Sequence, residues 1–406
     1  MAESTYFRRG FGLKASIEGQ LASDYHSGVI EALRAGGYRL SAGPLTFRLA
    51  KEFGFCYGVD RAVDYAYESR LKFPDKRIFL VGEIIHNPHV NAKLRAMGIE
   101  ILAHDPERDF AFEGITPDDV VILPAFGVTI RDFERLRALG CVLVDTTCGS
   151  VLNVWKRVES YARDGYTAII HGKYWHEETK ATASQVNRHP GGRYLVVLDM
   201  DEARPVLDFI EHGGDADALN RRFAKATSPG FDFARDLVKV GIANQTTMLS
   251  GESLAIAAEF GRSMARRYGE EALASHFRSF DTICSATQER QDAIKELLQD
   301  RPDVMLVIGG YNSSNTCHLA ELAESYGVTT YHIEDADCID PVAGTIRHQP
   351  VGAKAEATVA GWIGAARDFG ITAGASTPNN KIGETIARVA ATAGASEALD
   401  AALAGG

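Results

Sequence analysis

The chain has 406 residues, and at about 150 residues per domain this length excludes one small domain and calls for two or three. Apolar residues make up 45% and charged residues 24%, which excludes disordered, collagen-like and coiled-coil chains, and no run approaches the ~18 apolar residues of a membrane span. Lys plus Arg (43) minus Asp plus Glu (54) gives a net charge of −11, which argues against sequence-independent nucleic-acid binding and leaves any anionic ligand to local donors.

The first residues carry Glu3, Glu18 and Asp24 and no apolar stretch of the secretory kind, so a cytoplasmic protein is expected. Six cysteines in this length are too sparse for a disulfide framework and read as unpaired, ligating or catalytic. Residues 1–44 hold one short helical stretch, SGVIEALRAGG, and read as an N-terminal extension of modest structure. From residue 45 a unit recurs: an apolar strand, a polar loop, an amphipathic helix. RIFLVG leads into EIIHNPH, DVVIL into PAFG, CVLVD into TTCGS, and YTAIIHG into KYWHEE. Further on, LVKVGIA leads into NQTT, DVMLVIGG into YNSSN, and GITAGAS closes the series. Such alternation predicts βαβ units with parallel sheets, and ligands bind in such folds at the carboxyl ends of the strands. The stretch 201–237 breaks the rhythm and reads as an insertion or lid-like excursion, and residues 377–406 as a helical tail.

Three cysteines share one setting. Cys56 in GFCYGVDRAV, Cys148 in DTTCGSV and Cys284 in ICSATQERQ each stand after strand-like residues and ahead of an amphipathic helix. Helix N-termini lower thiolate pKa values and stabilise anionic centres. The separations, 148 − 56 = 92 and 284 − 148 = 136 residues, are each about one domain, so each of three α/β lobes could give one thiolate to a shared centre. The expected lobes are 45–147, 148–283 and 284–376. Three unrelated core cysteines, a zinc site and an iron–sulfur cluster are the competing readings, and the paired C-x₂₋₄-C spacing of structural zinc is absent. Cys141 reads as core, while Cys317 and Cys338 receive no role.

The loop Asn312, Ser313, Ser314 and Asn315 offers more donors than one helix cap needs, which suits phosphate oxygens. Ser376 in TAGASTP is a similar, weaker candidate. His86 and His89 in HNPH, and His176 in HEET, are loop histidines, and Glu178 is either a solvated first-turn residue or a proton donor beside Gln245 and Thr246 of NQTT.

GFCYGVDRAV, HNPHV, DTTCGSV, HEET, NQTT, ICSATQERQ, YNSSN and TAGAS follow the order and spacing of the hydroxymethylbutenyl diphosphate reductases, and over residues 45–385 the chain resembles that family's plant and cyanobacterial branch. The resemblance implies three similar α/β lobes with mostly parallel sheets around a central 4Fe-4S cluster held by Cys56, Cys148 and Cys284. It implies reductive dehydroxylation of 4-hydroxy-3-methylbut-2-enyl diphosphate to isopentenyl and dimethylallyl diphosphates, the last step of the non-mevalonate pathway. Glu178 would deliver the proton with Thr246 as relay, and His86, His176, Ser313, Ser314, Asn315 and Ser376 would hold the diphosphate, with Gln245 and Asn312 beside them. Ferredoxin is the electron donor the branch implies, with flavodoxin as the alternative, and neither nucleic acid nor membrane is an expected partner. Phe126 in PAFGV stands where the shorter bacterial enzymes have histidine, and His89 and Lys173 are the candidates to supply the phosphate donor in its place. The alternative enzyme is a cluster-dependent dehydratase without net reduction, and the non-enzymatic alternative is a phosphate- or metal-binding regulatory module.

Overall fold

The computed structural model describes residues 5–105, 109–280 and 282–404. The chain packs as two units, one drawn from the segment ending at Arg8, Asp75–Gly82 and Glu100–Cys284, the other from Arg9–Pro74, Glu83–Ile99 and the chain from Ser285 onward.

The first unit holds two sheets. One runs in the order Tyr6–Phe7, Val142–Asp145, Val120–Leu123, Ile78–Val81 and Ile99–Leu102. Its pairings 6–143, 120–142 and 78–120 are parallel. The other runs Arg193–Val197, Thr167–His171, Val240–Asn244 and Phe277–Ser279, parallel throughout. The central strands IFLV, VVIL, TAIIH and VGIAN are buried at every position, as expected for strands covered on both faces.

The second unit is built on Thr329–Ile333, Val304–Ile308, Asp368–Ala373, Leu45–Leu49 and Arg39–Ala42, of which only the last pairing is antiparallel. A small antiparallel sheet of Ile339–Asp340, Thr345–His348 and Ala357–Ala360 is appended.

Parallel α/β architecture is therefore as expected, and three details are corrected. Leu45–Leu49 does not open a first lobe: it pairs with Asp368–Ala373, because Phe47 and Leu49 complete the core around Phe369 and Ile371. The boundary drawn at 45 consequently does not follow the sheets, whereas those at 148 and 284 fall between one sheet and the next. The N-terminal extension is more structured than expected. Helices Lys14–Tyr25 and Gly28–Ala35 pack through Ile17, Ile30 and Leu33, all at most 2% exposed. The stretch 201–237 is not a lid. Its helices Met200–His212, Ala216–Arg222 and Phe233–Asp236 cover the second sheet, with Val206, Ile210, Phe223, Phe233 and Leu237 buried in that sheet's core.

Candidate active site

In the first unit the loops at the carboxyl ends of Thr167–His171 and Val240–Asn244 lie side by side, since those strands are parallel neighbours. The first loop leads into the helix Glu177–Ala183, capped by His176, whose Nδ1 accepts the Glu178 N–H at 3.2 Å. That bond fixes the tautomer: in the neutral ring the proton sits on Nε2, which becomes a donor. Glu178 is 3% exposed, and its Oε1 accepts the Thr246 backbone N–H at 2.5 Å. Glu178 and Thr246 are thus brought together as expected.

Gln245 stands between the two loops. It is fully buried, its Oε1 accepts from the Lys173 N–H (3.1 Å) and the Thr179 hydroxyl (3.0 Å), and its Nε2 donates to Thr247 (2.8 Å). The amide locks the two loops together.

Cys148 caps the helix Gly149–Arg163 after the strand Val142–Asp145, and its N–H donates to the Ala125 carbonyl at 2.8 Å. Trp155 on that helix donates to the Thr182 hydroxyl at 3.1 Å, joining it to the helix of Glu178. The segment leading to Cys284 is tied to the NQTT loop, because the Thr282 hydroxyl bonds to Asn244 Oδ1 and receives the Asn244 N–H at 3.3 Å. Asn244 and Thr282 went unread in the sequence, where nothing marks a pair 38 residues apart.

In the second unit the adjacent parallel strands Val304–Ile308 and Asp368–Ala373 deliver the loops of NSSN and TAGAS to one edge. Ser313 caps the helix Ser314–Ser325, and Asn315 Oδ1 accepts the Ala375 N–H at 2.9 Å, closing one loop on the other. Ser376 Oγ donates to the His86 carbonyl at 3.1 Å. Gly310 fits against the same carbonyl only because it lacks a Cβ, which would stand 2.8 Å from it. His86, Ser313, Ser314, Asn315 and Ser376 are thus gathered within this unit. Ser314 Oγ and Asn315 Nδ2 are buried donors without a hydrogen-bond partner among the described residues. Buried donors left unmatched are costly, and a ligand oxygen would satisfy both.

Asn312 is turned elsewhere: its Nδ2 donates to Glu83 Oε2 at 3.2 Å, and the same oxygen meets His86 Nδ1 at 2.9 Å. Glu83 was not singled out in the sequence, and its only signal is the i,i+3 spacing to His86. Of the two candidates to supply a phosphate donor in place of Phe126, His89 is held in the neutral form, in which one ring nitrogen still donates. Burial and then Lys381 hold it below the ordinary histidine value, and its ring packs edge-on against Tyr25. Lys173 gives its backbone N–H to Gln245, and the Phe126 ring lies edge-on to His176 at 6.3 Å.

Cys56 caps the helix Tyr57–Lys72, and Cys284 directly precedes the helix Ser285–Gln299. Cys56, Cys148 and Cys284 are all part-exposed at helix N-termini. Of the other three thiols, Cys317 is part-exposed as well, and Cys141 and Cys338 are buried. Cys141 is buried, its thiol pushed up to about 11 by that burial, and it donates to the Leu136 carbonyl. Cys317 donates to the Tyr311 carbonyl at 3.2 Å, and Cys338 meets the Tyr311 hydroxyl at 3.7 Å. Part-exposed thiols at helix N-termini suit thiolate ligands to a cluster; a buried thiol with a raised pKa does not.

Parallel α/β units with polar loops at the strand carboxyl ends and a buried carboxylate among them define an enzyme of the α/β class. The LytB protein family matches residues 47–390, and the chain belongs to that family. It is 49% identical over 391 residues to a Thermosynechococcus vestitus protein named 4-hydroxy-3-methylbut-2-enyl diphosphate reductase, covering 96% of this chain and 95% of that one. A Gloeobacter violaceus protein of the same name is 50% identical over 395 residues, covering 96% and 93%. Among solved structures, an (E)-4-hydroxy-3-methyl-but-2-enyl diphosphate reductase described as the terminal enzyme of the non-mevalonate pathway matches with a TM-score of 0.51 at 27% identity, over 84% of this chain and 98% of that one. A Plasmodium falciparum reductase structure, 19% identical with a TM-score of 0.62 over 85% and 87% of the two chains, supports the fold alone. Among the described residues no helix is long and apolar enough to cross a membrane.

Proposed function

We propose that the chain removes the hydroxyl of 4-hydroxy-3-methylbut-2-enyl diphosphate reductively, giving isopentenyl and dimethylallyl diphosphates, the last step of the non-mevalonate route to isoprenoids. The observation that carries this reading is 49% identity, across 96% of this chain and 95% of the relative, to a reductase of that name. The balance is one C–O bond broken, two electrons and two protons taken up, one C–H bond formed and one water released.

The cofactor in this reading is one 4Fe-4S cluster held by Cys56, Cys148 and Cys284, a choice supported by their part-exposed positions at helix N-termini. Bound there, it supplies single electrons and a Lewis-acidic iron for the substrate oxygen. The diphosphate is taken by neutral donors: Ser314 Oγ and Asn315 Nδ2, which lack hydrogen-bond partners among the described residues, the N-terminus of the helix Ser314–Ser325, and Ser313, Ser376 and His86 around them. His176 offers Nε2–H as a further donor, its Nδ1 being taken by the Glu178 N–H. Glu178, whose Oε1 accepts the Thr246 N–H, is the proton donor in this reading, with the Thr246 side chain as relay. Ferredoxin as electron donor, with flavodoxin second, and a cytoplasmic setting complete the reading.

Anaerobically purified protein is expected to be brown with about four irons per chain, and to form product only with a reductant. Colourless protein with stoichiometric zinc overturns the cofactor, and product without reductant replaces the reductase by a dehydratase.

A further inference from the structure

Arg290 lies on the helix Ser285–Gln299 and is only 3% exposed. A guanidinium that deep normally faces a carboxylate. Here it holds backbone instead: Nη2 donates to the Gly54 carbonyl at 2.7 Å and Nη1 to the Ala286 carbonyl at 2.8 Å, while the buried Nε has no hydrogen-bond partner among the described residues. Asp60, one turn into the helix capped by Cys56, feels this charge: burial and Asp64 push its carboxyl up, while Lys14 and Arg290 draw it down.

Gly54 is where the chain turns toward Cys56. Its φ is +67°, and a Cβ there would come within 3.1 Å of the Thr377 carbonyl oxygen and 3.2 Å of Asn379 Oδ1, so no other residue fits without strain. On one side the segment is laid against the continuation of the strand Asp368–Ala373, with the Gly54 N–H donating to the Ala373 carbonyl (3.4 Å) and the Cys56 N–H to the Ala375 carbonyl (3.2 Å). On the other side it is held by Arg290.

We propose that Arg290 is the positioning residue for Cys56: its buried guanidinium fixes the Gly54–Cys56 segment, and so where the sulfur stands, and it places a buried positive charge beside an anionic thiolate. This inference rests on the reading of Cys56 as a cluster ligand and deepens it. Lysine is a poor substitute, because only the planar fork reaches two carbonyls in fixed directions.

The test uses the full cluster-loaded chain, purified anaerobically, with the parent, Arg290→Gln, Arg290→Lys and Cys56→Ser compared. Three quantities are measured: amide exchange across residues 50–57, iron release to a ferrous chelator, and the midpoint potential of the bound cluster. In Arg290→Gln, exchange at Gly54–Cys56 is expected to quicken about tenfold, the worth of one charge-assisted hydrogen bond, with iron release faster and the potential more negative. Arg290→Lys keeps the charge and loses the fork, so exchange quickens while the potential stays near the parent's. A merely structural arginine would not separate those two effects. The lysine variant also carries the test should the glutamine variant not fold, and parent-like exchange in it overturns the fork. Unchanged exchange and iron release in Arg290→Gln, with iron lost in Cys56→Ser, overturns the inference while leaving the ligand reading intact. Iron retained in Cys56→Ser overturns the ligand reading, and the positioning role with it.

Discussion

Glu178 owes its position to two loops rather than to its own helix. The Thr246 N–H fixes Oε1, and Gln245 holds the Thr246 loop against Lys173 and Thr179. Glu178→Gln preserves the shape and the Thr246 bond but carries no transferable acid proton. Turnover is expected to fall about 10²- to 10⁴-fold, the usual worth of a general acid, with iron content and melting temperature held. Steady-state kinetics check this, and near-parental turnover would take Glu178 out of the proton path. The thiols allow an equally local prediction. Cys148→Ser is expected to lose iron on purification, whereas Cys317→Ser, whose thiol turns to the Tyr311 carbonyl, keeps it by iron analysis. The cysteines, Glu178 and the NSSN loop were legible because strand, polar loop and helix start are contiguous in sequence. The loop-joining contacts of Gln245 went unread, and Glu83, Asn244 and Thr282 were passed over, because what they do depends on contacts between loops that only the parallel strand order brings together.

At the scale of elements, burial on both faces decides what a sequence announces. VVIL and VMLVI sit in sheet interiors and stand out as apolar runs. Strands at sheet edges, such as Thr329–Ile333 with its sequence TTYHI or Phe277–Ser279 with FRS, mix polar residues into short runs and escape the pattern. The same blindness made 201–237 look like an excursion, since its apolar residues are scattered among short helices and converge only when folded. Phe233 makes the difference measurable: it is 1% exposed and packs against Phe209, Phe223 and Phe231. A lid would tolerate its loss, but a core residue does not. Phe233→Ala is expected to cost about 3–5 kcal/mol, read by urea or thermal unfolding, and a cost below about 1 kcal/mol would return the segment to the surface.

Across the whole molecule, buried neutral histidines set the response to acid. His171 ends a central strand of one unit, and His332 lies in an edge strand of the other. Burial drives both down to about 4, against weaker upward pulls from backbone bonds. His171 Nδ1 meets Ser253 Oγ at 2.8 Å and its Nε2 lies 3.9 Å from Glu252, while the upward pull on His332 is its Nε2 bond to the Gly309 carbonyl at 3.0 Å. An unfolded histidine takes its proton near 6.5 and these folded ones only near 4, so within that interval the unfolded chain binds protons the folded chain refuses. Their contribution is therefore complete above pH 6.5 and is lost as the pH falls toward 4. At about 1.4 kcal/mol per pKa unit, the two together amount to a loss of about 7 kcal/mol. His89 and His348, also shifted down chiefly by burial, act in the same sense. Carboxylates such as Asp303, held low by the Arg367 and Asp368 backbone N–H groups, add their loss only below the ordinary carboxylate range, so the two windows separate. Unfolding free energies by urea at pH 7, 5.5 and 4.5 should fall steadily in the parent. The slope should flatten in His171→Gln combined with His332→Gln, whatever the variant's stability at pH 7. A parent profile level to pH 4.5 and collapsing only below it would assign the acid response to the carboxylates instead.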